Sequence, residues 1–423
     1  MQYNRFWVLI AFLGWAGCSA PAPIQSPVQG NVTLAGNVVI WETSSPTLGA
    51  VRYGRSPGQY DFVAYPNAAF EGDRALSTEH RIPLLSVRVG EVIYLQVLNL
   101  TESHVLTSDR EVSFTVTERP SPRPLMQWTM IDVGFGDSHL LTMPTTGVRV
   151  LIDGGERRDG PTVVAYLKGA VVTILDGVMG THIHADHIGG LIGDSFTLED
   201  GVLGAYPVGL FLDSPVKSAS RFAYDELLDT LELRDVARTV INPGETDQTN
   251  SGLAWDPAVT VQALNSGGGR SIGGSGEGDW LNNDSILLRL TYGKVSFVLG
   301  GDSEAPVERR LVANEGVRLE SEVLKIHHHG LDDTSEPEWL DAVSPRVGLI
   351  PITTYESFSG TLPSGNVLTR MRARNIDIYA SDRAEPLGIQ LTGNRGHNVT
   401  VFTDGESYEL LVVPSVSDHY PPD

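Results

Sequence analysis

Residues 181–190, Thr-His-Ile-His-Ala-Asp-His-Ile-Gly-Gly, place three imidazoles and one carboxylate within six positions. In an extended segment, side chains two positions apart point the same way, so His182 and His184 can bind one cation together. Asp186 and His187 begin the next element and can face a second cation. Imidazole and carboxylate donors suit a hydrolytic zinc ion or a related transition metal, whereas structural zinc knuckles use thiolates. The alternative, a chance surface cluster of histidines, is disfavoured by motifs further along the chain.

Those later motifs carry the same chemistry at the ends of predicted strands. Asp153 and Asp302 each follow an apolar strand on a glycine-containing turn. Another predicted strand runs into the triplet His-His-His at 327–329, and Asn-Asn-Asp-Ser at 282–285 precedes the Asp302 strand. Ligands at strand ends meet at one edge of a layered sheet, where a site is both accessible and rigid. The sequence therefore predicts one metal centre built from distant segments.

These residues carry a resemblance to the metallo-β-lactamase superfamily, through the motif at 181–190. The chain most resembles its competence-type branch, the hydrolase domain of ComEC-like proteins. That branch shows Asp-Val-Gly-Gln-Gly-Asp-Ser, and residues 132–138 read Asp-Val-Gly-Phe-Gly-Asp-Ser. It also shows Asn-Asn-x-Ser and Leu-Lys-Val-Pro-His-His-Gly, which resemble residues 282–285 and 324–330. The resemblance covers roughly residues 126–393 and implies an α/β fold, the αββα sandwich of the superfamily.

The same resemblance implies two divalent metal ions, zinc or alternatively manganese, and a ligand set for them. The implied ligands are His182 and His184 for the first ion, Asp186, His187 and His328 for the second, and Asp302 as a bridge between both. His328 is preferred over His327 because the branch has proline where His327 stands. Asp186 is also the implied catalytic residue, which positions the attacking water and accepts its proton.

One departure from the superfamily concerns the first ion. A third histidine is missing there, because no histidine occurs between His187 and His327. In the branch, Asn283 or its neighbour stands near that position as a weaker ligand. The sequence thus leaves the occupancy of the first metal site open.

Several further polar residues are assigned supporting roles. Asp153 matches the strand-end aspartate that orients a ligand histidine in the superfamily. Asp132 and Asp137 are interpreted as residues that shape a loop through backbone hydrogen bonds, and not as ligands. His329 either contacts substrate or points outward, and the sequence favours neither.

Composition limits the class of protein. A chain of 423 residues with 41% apolar content is long enough for two or three globular domains. A formal net charge of -22 argues against a stable nucleic-acid complex, because phosphate binding relies on lysine and arginine. It does not exclude an enzyme that cleaves phosphodiesters, because bound metal ions supply positive charge locally.

The N-terminus resembles a bacterial lipoprotein signal over residues 1–18, in which Cys18 becomes the lipidated first residue. A charged start, a short apolar run and small residues before Cys18 are typical of an export signal. Residues 19–30 are rich in Pro, Ser, Ala and Gln and predict a flexible tether. The expected location is the bacterial cell envelope, with the protein attached to a membrane through Cys18; an uncleaved N-terminal anchor is the alternative.

Composition changes divide the rest of the chain. Residues 31–117 show short alternating strands and resemble a fibronectin type III β-sandwich, in particular the variant that precedes purple acid phosphatase domains. His80 is interpreted there as a strand residue and not a ligand. A proline-rich linker is predicted at 118–125, the hydrolase domain at 126–412 and a C-terminal tail at 413–423.

The expected activity is metal-dependent hydrolysis of a phosphodiester, in nucleic acid or in a phosphorylated envelope component. Two alternatives remain open at this point. The first is a lactonase or β-lactamase of the same fold, because fold does not determine substrate. The second is a lipoprotein that binds envelope polymers through the β-sandwich while its second domain is catalytically silent.

Overall fold

The computed structural model describes residues 27–66, 76–101, 106–118, 123–193, 200–215, 222–269, 277–314, 318–353, 355–357, 360–385 and 396–415. The predicted signal at 1–18 with Cys18, most of the tether and the middle of the linker lie outside these residues. Among the described residues, no helix is long and apolar enough to cross a membrane.

The first part of the chain consists of strands. Their bounds are β1 Val28–Ala35, β2 Val38–Gly54, β3 Phe62–Ala64, β4 Ser77–Pro83, β5 Val92–Thr101, β6 Leu106–Ser108 and β7 Val112–Thr115. The sequence predicted short strands over residues 31–117, but β2 is one strand of 17 residues. It stays extended because β1 and β4 pair with its first half while β3 and β5 pair with its second half. The predicted tether is also too long, since residues 28–30 belong to β1.

An apolar core lies between the two halves of this strand assembly. Four of its residues are almost fully buried: Trp41 and Tyr53 from the two halves of β2, Ile82 from β4 and Leu95 from β5. His80 lies in β4, as predicted, and its ring stacks on Trp41 at a centroid distance of 4.6 Å.

A larger sheet continues from these strands into the second part of the chain. Its further strands are β8 Met126–Met130, β9 His139–Thr142, β10 Arg149–Ile152, β11 Leu175–Met179, β12 Val208–Asp213, β13 Arg238–Val240, β23 His397–Thr403 and β24 Tyr408–Pro414. They follow the order β13-β12-β11-β10-β9-β8-β23-β24, and β24 pairs with β3. The predicted domain end at 412 falls inside β24, so the final strand extends two residues into the predicted tail.

A second sheet faces the first. It contains β14 Val259–Asn265, β15 Leu287–Tyr292, β16 Val295–Gly300, β17 Val323–Lys325, β18 Val347–Ile350, β21 Asp377–Ala380 and β22 Arg383–Glu385 in that order, beside a hairpin of β19 Tyr355–Ser357 and β20 Gly360–Leu362. Trp128 and Val401 of the first sheet pack in one core with Leu288 and Phe297 of the second.

Helices cover the outer faces of both sheets. Their bounds are α1 Gly160–Gly169, α2 Ala185–Ile192, α3 Val202–Ala205, α4 Phe222–Leu233, α5 Glu277–Asn282, α6 Ala305–Val312, α7 Pro337–Val343 and α8 Gly365–Arg372. Apolar residues of α1, α2, α3 and α4 pack against the first sheet, and those of α6, α7 and α8 pack against the second. The second part of the chain is therefore a mixed α/β fold with the helix–sheet–sheet–helix order that the sequence predicted.

Buried hydrogen bonds join the N-terminal strands to both sheets. The fully buried Glu409 of β24 accepts hydrogen bonds from the Tyr53 hydroxyl at 2.8 Å and from the Leu85 amide at 2.9 Å. The Tyr65 hydroxyl lies 2.8 Å from both Asp377 Oδ2 and Tyr379 Oη of the second sheet. These contacts, with the β3–β24 pairing, attach the N-terminal strands to the two sheets that carry the candidate metal centre.

Candidate metal centre

Helix α2 begins directly after His184, whose backbone is extended, and packs closely against the turn that follows β10. A Cβ atom on Gly190 would lie 1.9 Å from the Gly154 carbonyl oxygen, so only glycine permits this approach. The turn starts at Asp153, whose φ is 59°. This local geometry brings the Asp153 carboxylate beside His187 of α2.

Parallel strand pairs position the other groups. β10 pairs in parallel with β11, and β16 pairs in parallel with β17. Asp153 and the segment 181–187 follow the first pair, while Asp302 and the turn His327–Gly330 follow the second. Because parallel strands end at the same edge, four segments that are distant in sequence meet at one place.

Four side chains converge there, which we call the four-donor group: Asp186, His187, Asp302 and His329. Asp302 Oδ2 lies 3.0 Å from His187 Nε2 and 3.5 Å from His329 Nε2. Asp186 Oδ2 lies 3.4 Å from His329 Nε2 and 3.8 Å from His187 Nε2. Four ligands placed tetrahedrally at about 2.0–2.2 Å from an ion are about 3.4 Å apart, so these donor atoms fit a zinc-like ion.

His182 and His184 form a second arrangement beside this group, which we call the histidine pair. His182 Nε2 lies 3.1 Å from His184 Nδ1 and 4.0 Å from Asp302 Oδ2. His182 is buried, whereas His184 is partly exposed. Burial, together with the nearby His187 and His184, lowers the pKa of His182 well below its ordinary value, which keeps the imidazole neutral and able to bind a cation.

Asp153 holds one of the donor histidines in place. Its Oδ2 accepts a hydrogen bond from His187 Nδ1 at 2.8 Å, so His187 Nε2 is directed at Asp302. Thr181 donates to the same carboxylate through its amide at 2.8 Å and its hydroxyl at 2.7 Å. A carboxylate behind a histidine sets its tautomer and ring orientation for metal binding, which is the role predicted for Asp153.

Asp137 has the corresponding position behind His329. Its Oδ1 lies 3.3 Å from His329 Nδ1, which also faces the Pro351 carbonyl oxygen at 3.3 Å. This arrangement turns His329 Nε2 towards Asp186 and Asp302. Asp137 is therefore part of the centre, and its interpretation as a loop-shaping residue was wrong. Asp132, by contrast, does shape its loop, because its Oδ1 accepts a hydrogen bond from the Gly134 amide at 3.0 Å.

Lys325 was missed by sequence reasoning. Its side chain is fully buried, and its ammonium lies 2.6 Å from Asp137 Oδ2, 2.8 Å from the Gly301 carbonyl oxygen and 3.5 Å from Asp302 Oδ1. Burial lowers the pKa of Lys325, but Asp137 and Asp302 together raise it by more. The pKa of Lys325 therefore lies above its ordinary value. The available signal was a lysine inside an otherwise apolar strand, since buried lysines are almost always paired.

Carboxylates and imidazoles of the four-donor group favour each other's ionised forms. Burial disfavours the ionised form of Asp186, yet His187 and His329 hold its pKa well below the usual range. Conversely, burial lowers the pKa of His187, and Asp302 and Asp153 raise it well above its ordinary value. The buried carboxylates are thus stabilised by positive charge beside them.

Two predicted ligands lie elsewhere. His328, predicted to complete the second site, has its Nδ1 3.4 Å from Asp333 Oδ1 and its Nε2 3.4 Å from Asn282 Nδ2, and His329 stands in its predicted place. The reason is the turn, in which His328 and His329 have φ values of 49° and 52°. Asn283, predicted near the first ion, binds Glu304: its Oδ1 accepts from the Glu304 amide at 3.0 Å, and its Nδ2 donates to Glu304 Oε2 at 3.3 Å.

Comparisons with known proteins give relatives at low identity. No family model matches the chain. The chain is 24% identical over 277 residues to ComE operon protein 3 of Bacillus subtilis, covering 60% of this chain and 31% of that protein. It is 28% identical over 123 residues to competence protein ComA of Neisseria gonorrhoeae, covering 29% and 18% respectively. The chain therefore spans less than a third of the length of these relatives.

Solved structures resemble the chain only weakly. A putative zinc-dependent hydrolase of the metallo-β-lactamase superfamily from Thermotoga maritima gives a TM-score of 0.27 at 13% identity, over 57% of this chain and 84% of that one. CmlA, a diiron β-hydroxylase from Streptomyces venezuelae, gives 0.34 at 14% identity, over 55% and 47%. At TM-scores below 0.5 these similarities support no conclusion about function.

Proposed function

We propose that this protein is a metal-dependent hydrolase that uses two divalent ions and acts on phosphodiester bonds. The observation that carries the proposal is the position of one oxygen atom. Asp302 Oδ2 faces His187 at 3.0 Å and His182 at 4.0 Å, so it stands between the four-donor group and the histidine pair. A single carboxylate oxygen between two sets of nitrogen donors is suited to bridge two ions.

The charge of the centre supports two ions over one. Asp137, Asp153, Asp186 and Asp302 bring four carboxylates into a largely buried space, and Lys325 supplies one ammonium. With neutral histidines, three negative charges remain, which is costly away from water. One divalent ion would leave the centre negative, whereas two would make it positive. A positive centre suits an anionic substrate such as a phosphodiester.

Each residue of the centre has a separate role in the proposed hydrolysis. Bound divalent ions would lower the pKa of a water molecule and stabilise negative charge on the substrate. Asp186, whose side chain is 20% exposed, can orient that water through a hydrogen bond. Asp153 and Asp137 fix the two donor histidines from behind, and Lys325 holds Asp137 and Asp302. This preorganisation removes the need to rearrange ligands during the reaction.

The substrate class rests on sequence likeness and charge. One relative is named competence protein ComA, and the motifs at 132–138 and 324–330 resemble the competence-type branch. We propose nucleic acid or a phosphorylated envelope component as the phosphodiester. A surface with a net charge of -22 disfavours a stable nucleic-acid complex, so we expect transient contact through the metal centre alone.

A substrate panel tests the proposal. The purified chain, loaded with Mn²⁺ or Zn²⁺, would be assayed with bis-p-nitrophenyl phosphate, a lactone and a cephalosporin. We expect metal-dependent cleavage of the phosphodiester, and its loss in Asp302→Ala. Faster turnover of the lactone or the cephalosporin would assign the centre to another hydrolase class, and no turnover with two ions bound would favour a silent binding protein.

We also propose that the protein is exported to the bacterial envelope and attached to a membrane through Cys18. The support is the N-terminal sequence pattern, in which small residues precede the only cysteine of the chain. In this arrangement the N-terminal strands would separate the metal centre from the membrane surface, and the phosphorylated components of the envelope would lie within reach.

A further inference from the structure

Another cluster of metal-binding groups adjoins the metal centre and belongs to neither the four-donor group nor the histidine pair. Glu304, His328 and Asp333 each offer one ligand atom, and these atoms lie within 4.8 Å of one another. Glu304 follows the donor Asp302 by two residues, and His328 directly precedes the donor His329. The cluster therefore lies after β16 and β17, at the sheet edge that carries the centre.

The side-chain amide of Asn282 lies within this cluster. Its Nδ2 is 2.9 Å from Glu304 Oε1 and 3.4 Å from His328 Nε2. Asn282 is 5% exposed, and its Oδ1 is buried with no hydrogen-bond partner among the residues that the structure describes. A buried acceptor without a hydrogen bond is unfavourable, so such an atom usually marks a bound water or ion.

The distances around this amide fit the ligands of one ion. Ligands at about 2.0–2.2 Å from an ion are about 2.8–3.6 Å apart in octahedral or tetrahedral geometry. A half-turn of the Asn282 amide exchanges Oδ1 and Nδ2, and so directs Oδ1 at Glu304 and His328. An oxygen in that position is repelled by the carboxylate unless a cation lies between them.

His328 is oriented for metal binding by the carboxylate at its other nitrogen. Asp333 Oδ1 lies 3.4 Å from His328 Nδ1. This places Asp333 behind His328 as Asp153 is placed behind His187. A carboxylate at Nδ1 favours the tautomer with its proton on that nitrogen, which leaves the lone pair of Nε2 for a metal.

We propose that Glu304, His328 and Asn282 bind a divalent transition-metal ion separate from the two ions of the proposed hydrolytic centre. One imidazole nitrogen, one carboxylate oxygen and one amide oxygen suit Mn²⁺ or Zn²⁺, whereas Ca²⁺ takes oxygen ligands. Glu304 is 6% exposed, and a cation offsets the cost of its buried charge. The ion would connect the end of α5 to the turn at His327–Gly330, which carries His329.

Anomalous scattering from crystals of the full chain grown with Mn²⁺ tests the site directly. We expect a peak at about 2.0–2.3 Å from both Glu304 Oε1 and His328 Nε2, with Asn282 Oδ1 turned towards it. Absence of a peak at this position, whether or not ions occupy the four-donor group and the histidine pair, would overturn the proposal.

Equilibrium dialysis of metal-stripped protein against Mn²⁺, with bound metal counted by mass spectrometry, measures the site in solution. Glu304→Gln should bind one equivalent fewer than wild type. Asp333→Asn alters the carboxylate behind His328 and should weaken the same equivalent by about 10–100-fold. Asp332→Asn is the matched control, because Asp332 pairs with Arg370 and lies outside the cluster, so it should bind as many ions as wild type.

Two results in solution would reject the site. The first is equal numbers of bound ions in wild type and Glu304→Gln at every Mn²⁺ concentration, and the second is the same loss in Asp332→Asn as in Asp333→Asn. Circular dichroism verifies that each variant is folded, and the crystals of the wild-type chain decide the question where a variant fails to fold. Because both measurements locate or count ions, failure of the proposed hydrolysis would leave this inference standing.

Discussion

The ammonium of Lys325 lies 2.6 Å from the carboxylate of Asp137, and neither side chain is exposed to solvent. The same ammonium is 3.5 Å from Asp302 Oδ1, on the side of that carboxylate away from His187. Lys325 thus contacts two carboxylates of the centre. Asp137 holds His329, and Asp302 faces both the four-donor group and the histidine pair. A lysine in this position couples the charge of the centre to the stability of the fold.

Lys325→Met is the first prediction. The variant keeps most of the side-chain volume but leaves buried carboxylates without their cation, and breaking a buried pair costs about 3–5 kcal/mol. We expect a loss of this order in urea unfolding with a chelator present, and a smaller loss with Mn²⁺, because the ion supplies positive charge. Lys294→Met is the matched control: Lys294 pairs with Glu406 at an exposed position, where such pairs contribute about 0–1 kcal/mol. Equal, small effects in both variants would contradict the role of Lys325.

The second prediction separates the adjacent histidines. His329→Ala should weaken binding of an ion at the four-donor group by more than about tenfold, since even the loss of a supporting partner typically costs 10–100-fold in metal affinity. His328→Ala should leave the affinity of the four-donor group within about threefold, because His328 lies against Asp333 and Asn282 and outside that group. Calorimetric titration with Mn²⁺ measures both, and the reverse order of effects would restore His328 as the ligand.

Loss of hydrolysis without loss of fold is the third prediction. His184→Ala removes a donor of the histidine pair, and Asp302→Ala removes the oxygen between the two halves. Both should abolish hydrolysis of bis-p-nitrophenyl phosphate while far-ultraviolet circular dichroism stays unchanged. Wild-type turnover at matched metal content would remove the altered residue from the mechanism.

The fourth prediction concerns pH and lies far from the metal centre. Burial lowers the pKa of His80 from 6.5 to about 4 in the folded protein. The unfolded chain therefore binds a proton below pH 6.5 that the folded chain does not, and stability should fall as the pH drops from about 6.5 to about 4. His80→Gln carries no titratable group, so its unfolding free energy should change less across this range. An unchanged difference between the two proteins at every pH would exclude this role of His80.

Attachment through Cys18 gives the fifth prediction. If Cys18 is lipidated, the full-length protein should appear in the detergent phase of membrane fractions from bacterial cells, and Cys18→Ser should remove that attachment. The measurement is fractionation with Triton X-114 followed by intact-mass spectrometry. Detergent-phase partitioning of Cys18→Ser equal to that of wild type would favour an uncleaved apolar anchor.

Local sequence patterns predicted that the first part of the chain consists of strands, because side chains alternate between the two faces of a strand. The layered α/β arrangement of the second part agrees with the fold that the resemblance at residues 181–190 implied. The expectation of short strands over residues 31–117 was wrong for β2, which has 17 residues because strands pair along both of its edges, and pairing partners are not visible in a local pattern.

The amino-acid sequence by itself determined the chemistry of the centre: the imidazoles and carboxylates of 181–187, and the aspartates that end apolar strands. Local spacing suffices for these, because covalent geometry sets which nearby side chains can act together. Only the tertiary structure decided that His329 and not His328 faces Asp302, and that Asp137 and Lys325 belong to the centre. The turn at 327–330 has left-handed residues that break strand alternation, and Asp137 meets Lys325 only because two separate sheets end at the same edge.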